Sequence, residues 1–348
     1  MVIIYSLLLI IGIVAGQVFN LAAFSNLITF IASVCLAYIM TEVGLEFSLE
    51  QRPVRSYGKD FVIAASAAIL PALLWVGYFT FCVNSDWKSA LLSGLSSAPT
   101  SAGVLFSMMM AAGLAGTWVY KKAQVLAILD DLVTIMLLMP LQVIMFGLHW
   151  HTVLSLTLTI LFLFCSFRFP NTIKWHISRK WLLIYGVGVA AVVFLFTELT
   201  HTHIGVLMPA FMLGCLLKHH DHEIKGPTAL DYFVKGLFML LVGLTFPKIG
   251  TGEISFQQTA IHIVALTLLA NLGKFFLVLC YKREASFKER LALGIAMFPR
   301  GEVGAAVLLI GISYGLAGYA NSLAVLSLAL NLILTGLFIW LVIRLLKA

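Results

Sequence analysis

Residues 125–139 read VLAILDDLVTIMLLM, and this apolar, membrane-like run contains two adjacent acids, Asp130 and Asp131. A charged side chain at the centre of a bilayer costs about 3 kcal/mol on insertion scales. Two adjacent carboxylates would therefore not persist on a helix that faces lipid. We expect them to lie in a protein-lined site that water reaches, where they serve cation or proton chemistry.

The composition of the whole chain is typical of a polytopic membrane protein. Of its 348 residues, 61% are hydrophobic and only 11% are charged, whereas soluble domains carry about 25% charged residues. The net charge of +7 comes from basic residues in short loops between apolar segments, which argues against a nucleic-acid partner. The five cysteines form no C-x-x-C pair, so we expect no redox site and no cofactor.

Because a helix needs about 20 apolar residues to cross a bilayer, the sequence predicts twelve transmembrane helices. They cover residues 2–20, 25–47, 60–82, 87–112, 119–145, 151–167, 180–198, 203–219, 229–247, 258–281, 289–315 and 321–346. With the N-terminus inside, most of the 22 Lys and Arg residues fall in inner loops, and only Lys88 and Lys248 fall in outer loops. Since basic residues favour the cytoplasmic side, both termini are predicted to be cytoplasmic.

A short internal repeat is visible at an offset of 200 residues. Pro99 of span four aligns with Pro299 of span eleven, and Asp131 of span five aligns with Asn331 of span twelve. An odd number of crossings separates the paired spans, so the repeats, spans 1–5 and 8–12, have opposite orientations. Paired interrupted spans in inverted repeats are the best sequence pointer to a transporter site.

The depth of the charges predicts a partner for one acid. Asp130 follows Lys122, at the inner end of span five, by the same number of residues as Lys274 precedes Lys282, at the inner end of span ten. These eight helical residues cover about 12 Å, so Asp130 and Lys274 are predicted to form a buried ion pair. Asp131 points about 100° away on the helix and is expected to face a cavity, where a proton and a cation compete for it. The alternative is that both acids only join helices through salt bridges.

Pro99 is predicted to break span four. A proline inside a helix removes a backbone hydrogen bond, and the hydroxyl groups of Thr100 and Ser101 lie beside this position. Broken backbone at membrane depth is tolerated where it lines a protein or water cavity. An ordinary proline kink is the alternative.

The stretch Pro299–Glu302 is predicted to break span eleven in the same way. Arg300 and Glu302 are expected to compensate the dipole ends of two half-helices where span eleven crosses span four. Direct ion binding by Glu302 is the alternative. Asn331 is expected either to bond to the broken backbone or to join two helices.

The remaining polar positions give weaker signals. The inner loop with His219, His220 and His222 could sense pH or bind a metal ion, although a solvated loop is the simplest interpretation. Glu42 and Glu46, near the inner end of span two, are predicted to line a cytoplasmic funnel or to form a solvated helix end. No P-loop, dinucleotide or H-E-x-x-H motif is present, so no enzyme is predicted.

The chain resembles the monovalent cation:proton antiporter superfamily, which contains the bacterial sodium/proton antiporters and the related potassium-efflux antiporters. Three stretches carry the resemblance, which covers essentially the whole chain. Ala127–Asp131 looks like the paired-acid motif, Asn271–Lys274 looks like the span with the membrane lysine, and Phe298–Val303 looks like the P-R-G-E turn.

The resemblance implies an all-α membrane fold with two subdomains. A core would comprise spans 3–5 and 10–12, at about residues 60–145 and 258–348, with spans four and eleven crossing as broken helices. The remaining spans would form the scaffold of a homodimer. Asp131 would bind the ion (a transient Na+ site) and the proton, Asp130 would pair with Lys274, and Thr100 and Ser101 would lie near the ion.

We therefore expect an antiporter of the bacterial inner membrane that exchanges Na+ or Li+ for H+ by alternating access. Two acids together with the membrane lysine resemble the electrogenic branch of the superfamily. Asp-Asp in place of Gln-Asp, and the lack of a C-terminal nucleotide-sensing domain, favour Na+ over gated potassium efflux. The alternatives are a K+/H+ antiporter, a sodium-coupled organic-anion symporter of similar fold, and a non-transporting membrane scaffold.

Overall fold

The structure is a computed structural model that describes residues 2–19, 24–49, 54–147, 150–169, 173, 175, 178–200, 206–217, 228–245, 256–313, 316 and 318–347. Throughout these residues the regular backbone structure is helical, and an isolated β-bridge joins Ile173 to Leu217. The predicted all-α fold is therefore confirmed.

Fourteen α-helices follow one another in these ranges. They are α1 (Val2–Val18), α2 (Ser25–Leu49), α3 (Val54–Phe81), α4 (Trp87–Leu95), α5 (Ala102–Ala111), α6 (Trp118–Phe146), α7 (Trp150–Arg168), α8 (Arg179–Thr200), α9 (Leu207–Leu216), α10 (Ala229–Leu244), α11 (Phe256–Phe275), α12 (Phe287–Ala296), α13 (Glu302–Ser313) and α14 (Tyr319–Lys347). A short 3-10 turn, Phe276–Leu279, extends α11.

Six of these helices are long and apolar enough to cross a membrane. The apolar stretches are Ser25–Leu45, Gly58–Phe81, Trp118–Met145, Arg179–Leu199, Gln257–Leu279 and Tyr319–Lys347, which overlap the predicted spans two, three, five, seven, ten and twelve. The predicted spans one, six, eight and nine correspond to α1, α7, α9 and α10. Each of the predicted spans four and eleven is split into two short helices, α4 with α5 and α12 with α13.

The two split spans begin at positions that the internal repeat relates. The N-cap of α4 is Asp86 and the N-cap of α12 is Ser286. Each cap accepts a hydrogen bond from the backbone N–H three residues later, from Ser89 at 2.9 Å and from Glu289 at 3.3 Å. Burial opposes the charge of Asp86, but hydrogen bonds from Ser89 and from the backbone of Lys88 and of Asp86 itself outweigh it and hold the pKa of this carboxyl below its ordinary value. Local sequence thus starts both half-helices at equivalent points.

The helices pack in two groups. The first group, which we name the core group, contains α3–α6 and α11–α14, and the second, the scaffold group, contains α1, α2, α8, α9 and α10. Helix α7 packs on α9 and on α6. Among the described residues, the main contacts between the two groups are those of α1 with α14 and of α10 with α13.

Glycines bring the helices of the scaffold group into close contact. A Cβ on Gly12 of α1 would lie 3.0 Å from the Gly243 Cα of α10, and a Cβ on Gly214 of α9 would lie 2.8 Å from the Gly44 Cα of α2. Small residues let helix backbones approach in a membrane, where packing drives helix association. The internal repeat relates α1 to α9 and α2 to α10. The α1–α10 and α2–α9 contacts are therefore equivalent, and glycines permit close packing in both.

Gly214→Ala should destabilise the fold by about 1–3 kcal/mol through overpacking. The new Cβ would lie only 2.2 Å from the Thr41 carbonyl oxygen of α2. Gly77→Ala is the control, because a Cβ at Gly77 of α3 meets nothing within 4 Å and alanine is the better helix former. Thermal unfolding in detergent measures both variants. Equal unfolding temperatures would contradict the close contact of α2 and α9.

Candidate ion-binding site

The first break, residues 96–101 between α4 and α5, lies against the second break, residues 297–301 between α12 and α13. The backbone N–H of Ser101, in the first break, donates to the carbonyl oxygen of Pro299, in the second break, at 2.9 Å. Glycines permit this approach, because a Cβ on Gly304 would lie 2.5 Å from the Ser96 carbonyl oxygen and one on Gly301 would lie 2.7 Å from Ser101 Oγ. Both prolines therefore mark true helix breaks rather than kinks.

Arg300 donates hydrogen bonds to carbonyl groups at the C-terminal ends of α4 and α12. Its guanidinium donates to the carbonyl oxygens of Ser97, after α4, and Met297, after α12, each at 2.8 Å. It also donates to Phe298 at 2.8 Å and to Ala270 of α11 at 3.0 Å. The last carbonyls of a helix lack backbone partners and carry partial negative charge. The arginine thus lies where the predicted compensation requires it.

Glu302 lies at the N-terminal ends of α5 and α13. It is the first residue of α13, and its carboxylate accepts a hydrogen bond at 2.6 Å from the hydroxyl of Ser101, the N-cap residue of α5. The free N–H groups at a helix N-terminus favour a nearby acid. Glu302 is thus placed for the compensating role, and direct ion binding by Glu302 stays a prediction.

The predicted ion pair between Asp130 and Lys274 is present. Lys274 Nζ lies 2.5 Å from Asp130 Oδ2, and both side chains are fully buried. The hydroxyl of Thr100 donates to Asp130 Oδ2 at 2.8 Å, and its backbone N–H donates to Asp130 Oδ1 at 3.3 Å. Lys274 also donates to the Thr100 hydroxyl. The first break is therefore fastened to α6 and α11.

The N-terminal end of α6 and the C-terminal end of α11 meet at one carboxylate. Lys122 Nζ, on α6, lies 3.1 Å from Asp60 Oδ2 of α3. The hydroxyl of Tyr281, which follows α11, donates to Asp60 Oδ1 at 2.6 Å. Both ends therefore meet the same carboxylate, and Asp130 and Lys274 face each other about two helical turns further along α6 and α11.

Asp131 follows Asp130 on α6, and its side chain lies inside the protein. Its side chain is 1% exposed, so the expectation that it faces a water-filled cavity does not hold in this structure. Thr100 and Ser101 are also 1% exposed. The structure therefore shows the acids and the first break closed to solvent, and access for an ion requires a change in helix packing.

Asn331 joins the second break to α11. The backbone N–H of Arg300 donates to Asn331 Oδ1 at 3.0 Å, and Asn331 Nδ2 donates to Asn271 Oδ1 at 3.1 Å. Both alternatives predicted for Asn331, a hydrogen bond to broken backbone and a contact between helices, therefore occur together.

The fold gathers the predicted site residues into one buried region. They are Pro99, Thr100, Ser101, Asp130, Asp131, Lys274, Pro299, Arg300, Glu302 and Asn331. Sequence reasoning missed the roles of Gly273 and Asn271. A Cβ on Gly273 would lie 2.6 Å from the Pro71 nitrogen of α3, so this glycine lets α3 pack beside Lys274. The signal for Asn271 was an amide in an apolar span, three residues before the lysine.

The weaker predictions at the inner side have different outcomes. Glu42 neither lines an open funnel nor forms a solvated helix end, because it pairs with Arg179 at 2.5 Å and with Lys235 at 2.9 Å. The side chain of Glu46 and the loop at residues 218–227 lie outside the described residues. In the ranges that are described, no cluster of His, Cys, Asp and Glu fits a metal ion.

Buried acids beside two broken helices in a helical membrane protein are typical of the ion sites of secondary transporters. The family profile described as "Sodium/hydrogen exchanger, transmembrane" matches residues 4–345. The chain belongs to the sodium/hydrogen exchanger family, a family of cation/proton antiporters and not of enzymes. The resemblance read from the three motifs is therefore confirmed.

Comparison with solved structures supports the same fold. The sodium proton antiporter MjNhaP1 from Methanocaldococcus jannaschii at pH 8 superimposes with a TM-score of 0.66. The match covers 99% of this chain and 92% of that chain at 15% sequence identity, so it shows likeness of fold alone. No individual curated protein matches the chain.

Lys274→Ala should destabilise the protein by about 3–5 kcal/mol, because it leaves the buried carboxylate of Asp130 without its cation. Lys121→Ala is the matched control, since Lys121 is exposed on α6 and surface substitutions change stability by about 0.5 kcal/mol or less. Unfolding in detergent is the measurement. Identical unfolding of the two variants would contradict the energetic importance of the ion pair.

Proposed function

We propose that this chain exchanges Na+ (or Li+) for H+ across a bacterial inner membrane, and that proton and cation compete for Asp131. The observation that carries the proposal is the charge of the buried site. Around the two breaks, the buried charged side chains in the described residues are Asp130, Asp131, Glu302, Lys274 and Arg300. Three acids and two bases leave one negative charge, which one monovalent cation or one proton neutralises.

The contacts of the other charges support the assignment to Asp131. Asp130 is paired with Lys274, Arg300 donates to carbonyl groups after α4 and α12, and Glu302 accepts from Ser101 at the start of α5. These side chains hold the helix framework together. We assign the exchangeable charge to Asp131, because it is the ion-binding acid that the resemblance implies.

The surroundings suit a hard cation. Carboxylate, hydroxyl and backbone carbonyl oxygens are the ligands that alkali and alkaline-earth ions prefer. The hydroxyl groups of Thr100 and Ser101 and the carbonyl groups of the first break lie in the same buried region as the two acids. We propose that Thr100 and Ser101 supply oxygen ligands when the cation occupies the site.

The closed state of Asp131 supports alternating access. We propose that the core group and the scaffold group are the two subdomains, and that spans four and eleven cross within the core. The core group would rock against the scaffold at the contacts of α1 with α14 and of α10 with α13. The scaffold group would form the interface of a homodimer, with both termini of each chain in the cytoplasm.

The excess negative charge alone accounts for one-for-one exchange of Na+ and H+ at Asp131. We propose that Asp130 takes up a second proton and makes the exchange electrogenic. If Asp130 takes up a proton when its contact with Lys274 opens, Asp130 and Asp131 together bring in two protons for each Na+ that leaves. One positive charge then moves inward in every cycle. Electroneutral exchange would instead require that only Asp131 changes its protonation state.

Asp131→Asn should abolish cation/proton exchange while the protein still inserts into the membrane, because the amide keeps the shape but neither binds the proton nor carries the negative charge. Glu198→Gln is the control, since Glu198 is exposed at the end of α8. The measurement is the collapse of a pH gradient in everted vesicles after addition of Na+. Cation/proton exchange by the Asp131 variant would contradict the assignment of the exchangeable charge to Asp131.

Purified protein in proteoliposomes tests ion choice and electrogenicity together. Na+ and Li+ should collapse an imposed pH gradient, and a potassium ionophore with equal K+ on both sides should accelerate the collapse. Collapse driven by K+ alone would identify a K+/H+ antiporter. Sodium-driven uptake of an organic anion without a pH change would identify a symporter.

A further inference from the structure

A row of polar contacts joins α11 to α14 at one constant sequence separation. The hydroxyls of Thr259 and Tyr319 lie 3.4 Å apart, those of Thr267 and Ser327 lie 2.9 Å apart, and Asn331 donates to Asn271 at 3.1 Å. In each pair the second residue follows the first by 60 positions. The constant separation means that the helices run parallel, and the steps of four and eight residues keep the contacts on one face of each helix.

The Asn271–Asn331 contact of this row also involves the second break. A backbone N–H can only donate, so the Asn331 atom that faces the Arg300 N–H must be its oxygen. The amide nitrogen of Asn331 then faces Asn271, which must present its own oxygen. Asn331 is 1% exposed and Asn271 is 9% exposed, so water offers little competition. Asn271 thereby fixes the orientation in which Asn331 holds the broken backbone.

Helix α11 consequently contacts both breaks, one helical turn apart. Lys274 binds Asp130 and Thr100 on the side of the first break. Asn271, three residues earlier, acts through Asn331 on the second break. The Thr267 contact belongs to the same row but involves only α11 and α14.

We propose that Asn271 is a positioning residue for cation/proton exchange. By orienting Asn331 it fixes the backbone of the second break at Arg300, and the adjacent Pro299 carbonyl fixes Ser101 of the first break at 2.9 Å. Loss of this hold displaces the oxygen atoms of the first break relative to Asp131. This inference rests on the proposed function of the site.

The experiment compares Asn271→Leu with Thr267→Val. Each variant removes the hydrogen bonds of one contact in the row and keeps the number and branching of the side-chain heavy atoms. In proteoliposomes, Asn271→Leu should raise the KM for Na+ by about three- to tenfold, as expected for the loss of one buried hydrogen bond, and should shift the pH profile of exchange. Thr267→Val should leave the KM and the pH profile unchanged.

Hydrogen–deuterium exchange of the purified proteins gives a readout that does not depend on transport. The peptide that contains Arg300 should exchange faster in Asn271→Leu than in the wild type, and Thr267→Val should match the wild type. If Asn271→Leu does not purify as folded protein, Asn271→Ser replaces it, because its shorter side chain ends before the position of the amide oxygen.

The outcomes separate the two proposals. A wild type without cation-dependent proton movement overturns the proposed function, while deuterium exchange still decides whether Asn271 holds the break. A wild type that transports Na+, with an Asn271→Leu variant that matches Thr267→Val in KM, pH profile and deuterium exchange, overturns the positioning role alone.

Discussion

The contact between the two broken helices answers a constraint that the bilayer imposes on every backbone group. Lipid offers no hydrogen bonds, so each N–H or C=O that a helix break frees must find a partner inside the protein. Here the Ser101 N–H binds the Pro299 carbonyl at 2.9 Å, and the Arg300 guanidinium collects carbonyl groups from both breaks. Each break thus supplies partners for the other, and neither arrangement would be stable by itself at membrane depth.

The charges of the site follow from that contact. Arg300 is required at the ends of α4 and α12, and Glu302 lies at the beginnings of α5 and α13. The Asp130–Lys274 pair fastens the first break to α6 and α11. A framework held by these charges still contains one acid in excess. In the proposed function, a single cation or a single proton neutralises that excess charge.

Several features of the fold and of the site were predictable because they depend on spacing along one helix. The pairing of Asp130 with Lys274 followed from counting residues to the basic ends of the predicted spans, and the two side chains are in contact. The breaks followed from proline chemistry at Pro99 and Pro299. The wrong predictions concern surroundings. The burial of Asp131 depends on how neighbouring helices close over it, and Glu42 lies between Arg179 and Lys235, which approach from α8 and α10.

The sequence by itself determined the helical membrane class, the two broken spans and the acid–lysine pair, because hydropathy, proline and charge act locally along the chain. The three motifs also identified the family. Only the tertiary structure decided that the breaks touch, that the site is closed to solvent, and that Asn271 acts on Arg300 through Asn331. Such contacts join residues far apart in the chain, and their hydrogen-bond geometry is set by packing between helices.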